Sequence, residues 1–219
     1  MSIHNSQQVI KVWDPLVRVF HWSLALFFTI AYLTEDDFET VHFYMGYAIS
    51  ALIVFRLLWG VVGPKYARFT NFVTGKERVV RYLKSLLTGK AEHYVGHNPA
   101  GGIMVVALLL MLALTCFFGM TLLAIDDAGP LAGTFVGNFN EDLVKGMHEV
   151  CANGTLMLVF IHLAGVLISS LLHRENLVRA MITGVKVTRA NVTGDKASGD
   201  TVNSAQKSDV KSVKGESHV

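Results

Sequence analysis

Four apolar stretches, residues 16–34, 41–62, 103–125 and 147–172, dominate this chain. Each reaches or approaches the roughly 20 apolar residues that a helix needs to cross a bilayer. Of its residues 52% are hydrophobic and only 16% charged, where soluble domains usually carry about 25% charge. The sequence therefore predicts an all-α membrane protein, a four-helix up-down bundle. The first stretch is the most polar, with Arg18 and His21 near its start. A cleaved signal peptide is disfavoured there, because no basic segment precedes it and no small-x-small site leads into a soluble domain.

The net charge is only +2, but its distribution sets an orientation. Between the second and third stretches lie Lys65, Arg68, Lys76, Arg78, Arg81, Lys84 and Lys90 against Glu77 and Glu92. Arg174, Arg179, Lys186 and Arg189 follow the fourth. The other two links hold Glu35, Asp36, Asp37, Glu39, Asp126, Asp127, Glu141 and Asp142 against Lys145. By the positive-inside rule both termini and the basic loop are cytoplasmic and the acidic links external. A multi-pass membrane protein fits this pattern.

Residues 1–12 read as a short polar lead. Asp14-Pro15 suits a helix start, Asp as N-cap and Pro in the first turn. The link Thr34–Thr40 is short, so the first two helices should be antiparallel neighbours. Within the long inner loop, 63–101, Val79, Val80, Leu83, Leu86 and Leu87 recur at helical spacing among Lys76, Arg78, Arg81 and Lys84. That pattern predicts an amphipathic helix on the inner membrane surface. Asn98-Pro99 and Gly101-Gly102 are expected to break the chain before the third span. Residues 1–190 are read as one domain, and 191–219, polar and without aromatics, as a disordered tail. Cys116 and Cys151 fall at different depths, too far apart for a disulfide.

Four histidines stand within the spans. His148 and His162 are fourteen residues apart in the fourth, close to four helical turns, so they share a face about 21 Å apart. His21 and His42 stand near the starts of the first and second. Alternating topology places His21 and His162 toward the cytoplasm, and His42 and His148 toward the outside. Ionisable residues inside a membrane mark function, and two histidines at each of two levels suggest two bis-histidine haems stacked across the membrane. Gly46, one turn after His42, would let a porphyrin approach the backbone, or would serve helix packing. Arg56, fourteen residues after His42, and Arg18, one turn before His21, are candidates to pair with haem propionates. Arg56 alternatively snorkels to the inner interface. His173, eleven residues after His162 and near the same face, offers the fourth helix a second possible pairing, but Arg174, Glu175 and Asn176 after it suggest the aqueous boundary. His4, His93, His97 and His218 are read as solvated or interfacial.

These residues resemble the prokaryotic cytochrome b561 family, which includes the b-type subunits of Ni-Fe hydrogenases and formate dehydrogenases. The matching stretches include Trp13-Asp14-Pro15-Leu16-Val17-Arg18-Val19-Phe20-His21-Trp22, His42 to Gly60 with Arg56-Leu57-Leu58-Trp59-Gly60, and Arg81 to Leu87. His93 to Pro99 and His148 to Gly184 complete them, so the resemblance covers about residues 10–186. It implies a four-helix bundle with two haem b groups, His21, His42, His148 and His162 being the ligands. It also implies electron transfer between a periplasmic partner, a c-type cytochrome or redox enzyme, and membrane quinone.

The chain carries no CxxCH, nucleotide motif or iron–sulfur cysteine spacing, so a relay subunit is expected rather than an enzyme complete in itself. Two alternatives stand beside this: a stand-alone quinone-linked oxidoreductase such as a superoxide oxidase, and a haem-free scaffold or transporter. The eight acidic and one basic residue of the outer links would attract a basic protein and repel superoxide. Quinone is placed at the inner side, near His97, Asn98, Pro99 and His173. Lipid contact is expected, a nucleic-acid partner is not, and a homo-oligomer is open.

Overall fold

A computed structural model describes residues 7–11, 13–64, 67–72, 75–87, 99–173 and 176–189. The described residues divide into one compact unit within 9–187 and a second that takes in 7–8 and 188–189. Among the described residues four helices are long and apolar enough to cross a membrane. They are α1 (Pro15–Leu33), α2 (Glu39–Val62), α5 (Pro99–Ile125) and α6 (Glu141–His173). Shorter helices lie between and after them: α3 (Phe69–Phe72), α4 (Lys76–Leu87) and α7 (Leu177–Thr183). The four-helix membrane bundle expected from the apolar stretches is present.

Local chemistry explains where the helices begin. Pro15 occupies the first turn of α1, where its missing N–H leaves no bond unmade. The Asp14 carboxylate, expected to cap α1, instead accepts a 2.8 Å hydrogen bond from Trp59 Nε1 and ties the start of α1 to the end of α2. Pro99 and Gly101-Gly102 do not break the chain: α5 starts at Pro99 and runs through both glycines, with Gly102 buried. Proline at a helix start is favoured for the same reason as in α1. α6 begins six residues before its apolar run, because the Asn140 side chain accepts from the Leu143 N–H at 2.9 Å. Glu141 and Asp142 in its first turn complement the helix dipole.

Packing is uneven, and that positions the site. Ala31, Ile49, Ile53 and Leu112 form a buried cluster joining α1, α2 and α5, with Phe27, Phe28 and Met45 against it. α5 and α6 pack closely along their length. Small groups allow the approach: Thr121 and Thr155 are fully buried, and a Cβ on Gly154 would stand 2.7 Å from Met111. Such residues let membrane helices close on one another without a hydrophobic driving force. α6 has no comparable packing on α1 or α2. Side chains bridge that separation instead, among them Tyr32 of α1, which donates a 2.9 Å hydrogen bond to Asn153 Oδ1 of α6.

The segment between α2 and α5 carries the helix α4. Val79 and Tyr82 of α4 are buried and α4 packs on α5, with Arg78, Arg81 and Lys84 exposed. Val80, counted with the apolar face in the sequence, is half exposed, since it lies off the Val79–Tyr82 side. Residues 1–12 are not merely a polar lead. Gln7–Lys11 forms strand β1, which pairs with β2 (Val185–Arg189). The turn into β2 is made by Gly184, whose φ of 82° ends α7 in the left-handed region that glycine tolerates. The tail expected to be disordered lies outside the described residues.

Candidate cofactor-binding site

The four span histidines meet in two pairs. The His21 and His162 ring centres are 6.3 Å apart, and those of His42 and His148 are 6.0 Å apart. Each pair takes one ring from the α1–α2 side and one from α6, so the rings cross the separation that helix packing leaves open. The pairing is the one that depth predicts from sequence. Two imidazoles on opposite sides of one metal ion, at the usual nitrogen distance of about 2.0–2.1 Å, have ring centres about 6.3 Å apart. Each pair is spaced so that its two rings could hold one haem iron between them.

Hydrogen bonds orient the His42–His148 pair. His42 Nδ1 lies 2.9 Å from the Ala31 carbonyl, and His148 Nδ1 lies 2.9 Å from the Thr115 carbonyl. A carbonyl only accepts, so each Nδ1 carries the proton and each Nε2 keeps its lone pair for a metal. At the His21–His162 pair the picture differs. His21 Nδ1 and Arg18 Nε are buried polar atoms with no hydrogen-bond partner among the described residues. Buried polar groups are normally satisfied, and an orphaned guanidinium N–H at Arg18 is what a missing anionic group such as a propionate would leave.

The remaining candidates divide. Arg18 Nη1 also donates to the Ile182 carbonyl at the end of α7, and its guanidinium packs beside Gly184. Arg56 is buried at 2% exposure. It donates to the Ala67 carbonyl at 3.0 Å and lies 4.7 Å over the Phe69 ring, so it holds the segment after α2 in place. The Phe55 ring, next to Arg56, lies 6.4 Å from Phe20, next to His21, which sets Arg56 at the level of the His21–His162 pair. A Cβ on Gly46 would meet nothing within 4 Å, so the backbone there borders open space as a porphyrin needs. His173 ends α6, and its side chain lies outside the description, as do His4, His93, His97, Asn98 and His218. Among the described residues no group of three or more His, Cys, Asp or Glu could hold a bare metal ion. Cys116 and Cys151 are free thiols.

Sequence reasoning missed Gly119, Thr115 and Ala31. Ala31 and Thr115 act through backbone carbonyls, which leave no trace in residue type. Gly119 did leave one. Glycine inside a helix costs roughly 1 kcal/mol relative to alanine, so its place in an apolar span called for a packing reason. That reason is the His148 ring, whose Cε1 would stand 3.0 Å from a Cβ at position 119.

Comparison with known proteins agrees with this geometry. A sequence model described as prokaryotic cytochrome b561 matches residues 12–184. A curated protein of Rhodobacter capsulatus, named "Probable Ni/Fe-hydrogenase B-type cytochrome subunit", is 24% identical over 213 residues, covering 80% of each chain. No solved structure matches.

Proposed function

Because the chain belongs to the prokaryotic cytochrome b561 family, we propose that it carries electrons between a periplasmic redox partner and membrane quinone. Family membership makes it a multi-pass membrane b-type cytochrome of electron transport, which sets aside the haem-free scaffold or transporter. The finer reading rests on one observation: two histidine pairs, at 6.3 and 6.0 Å, each spanning the separation one iron needs. The chain would hold two b haems, one between His21 and His162 and one between His42 and His148. Haem so bound supplies one-electron exchange at iron.

The protein's own groups supply the rest. The histidines fix the ring positions, and Gly46 leaves room beside the outer pair. Arg18 and Arg56 bring positive charge to the level of the inner pair, where propionates would meet it. The acidic outer links favour a partner with a basic surface. The hydrogenase subunit named among the relatives supports a redox enzyme as that partner. Quinone is assigned to the inner side, where α4 would rest on the membrane surface and His97 and His173 could exchange protons.

Quinol-driven haem reduction tests this assignment in the His21→Ala protein, which retains the outer pair. Reduction should slow at least tenfold relative to the unsubstituted protein. Undiminished rates would move the quinone site to the outer side.

A further inference from the structure

The two histidine pairs are not equivalent in their surroundings. Both outer rings donate from Nδ1 to a backbone carbonyl at 2.9 Å. At the inner pair His21 Nδ1 is buried without a partner among the described residues. An imidazole that donates its N–H to a carbonyl is a more basic ligand through its other nitrogen. A more basic ligand favours ferric over ferrous iron, and hydrogen bonding of this kind is one of the means by which proteins set haem potentials.

The two carbonyls are reached in different ways. Ala31 lies three residues before the α1 C-cap, Thr34, whose N–H and hydroxyl reach its carbonyl only at 3.3 and 3.4 Å, so the same oxygen also accepts from His42 at 2.9 Å. Thr115 lies in the middle of α5, where the carbonyl is normally covered. Gly119 is one turn further on and is the residue whose N–H the Thr115 carbonyl accepts in a regular helix. A Cβ there would stand 3.0 Å from His148 Cε1 and 3.3 Å from Nδ1. The ring reaches Thr115 through the gap that the missing side chain leaves.

Resting on the two-haem reading above, we propose that Gly119 is a positioning residue. It admits His148 to the Thr115 carbonyl and thereby holds the outer site at a lower reduction potential than the inner one. The cations act in the same direction. Arg18 and Arg56 stand at the inner level, where positive charge favours the less positive ferrous state. Each of these influences separates the two sites in the same sense.

The test is a redox titration of the purified holoprotein, followed by absorption and by electron paramagnetic resonance. The outer signal is identified as the one lost in His42→Ala. In Gly119→Ala the ring is pushed from Thr115, and the outer site should shift about tenfold toward the reduced form, about 59 mV for one electron. The inner signal should not move. Gly146→Ala, also on the outer half of the bundle but facing open space, should leave both unchanged. Two retained signals with unmoved midpoints in Gly119→Ala would overturn the proposal. Should Gly119→Ala not accumulate, the unsubstituted protein decides: an outer site titrating at or above the inner one overturns it, and one titrating below supports it. Failure of the two-haem reading is seen separately, as a haem count below two.

Discussion

The ring planes of His42 and His148 cross at 75°, whereas those of His21 and His162 cross at 53°. Ligand-plane angle controls the splitting of the iron orbitals that interact with the imidazoles: crossed planes leave them nearly equal in energy, parallel planes separate them. The oxidised protein should therefore show two distinct low-spin signals, the more anisotropic one being lost in His148→Ala. A single signal, or greater anisotropy in the signal that depends on His162, would contradict the ring geometry.

Ligand substitution should be selective. His42→Ala and His148→Ala should each remove one haem and leave the one that depends on His21 and His162. His173→Ala should retain both, because His162 already stands opposite His21 at 6.3 Å. Pyridine haemochrome assay of each variant measures this. Loss of a haem in His173→Ala, with two kept in His162→Ala, would reverse the inner pairing.

Tyr32 and Asn153 join α1 to α6 by a hydrogen bond of 2.9 Å, where backbone packing between these helices is sparse. Hydrogen bonds between membrane helices contribute roughly 0.6 kcal/mol on average. Tyr32→Phe should lower stability by about that amount in reversible detergent unfolding. A gain in stability would count against the bridge.

Gly60 is filled by the Phe69 ring, whose nearest atom would be 2.0 Å from a Cβ. Gly60→Ala must displace that ring and with it the cover over Arg56, at a cost of roughly 1–3 kcal/mol. Thermal unfolding of Gly60→Ala should fall below that of the unsubstituted protein, while Gly146→Ala should match or exceed it. Equal melting of Gly60→Ala and the unsubstituted protein would show that Phe69 does not pack there.

Much of the architecture was legible because bilayer depth writes itself into sequence as apolar length. The spans were found to within a few residues at most ends, and the errors have physical causes. At Pro99 and Gly101-Gly102 breaker residues were overridden by the run that follows, since proline is harmless at a helix start and the glycines are taken up inside α5. At Glu141 the helix began before its apolar run because Asn140 caps it. The pairing of His21 with His162 and of His42 with His148 followed from topology alone, because alternating direction converts sequence position into depth. What sequence could not show was tertiary or backbone in origin. The Ala31 and Thr115 carbonyls carry no side-chain signal, the Arg56–Phe69 contact depends on a turn, and the β1–β2 pair joins segments from the two ends of the chain.

One chain is expected to hold two haems on its four span histidines. Quantitative pyridine haemochrome analysis of purified protein, set against protein concentration from amino-acid analysis, measures it directly. The expected result is two b haems per chain, with both sites low-spin. A ratio of one, or of none, would contradict it.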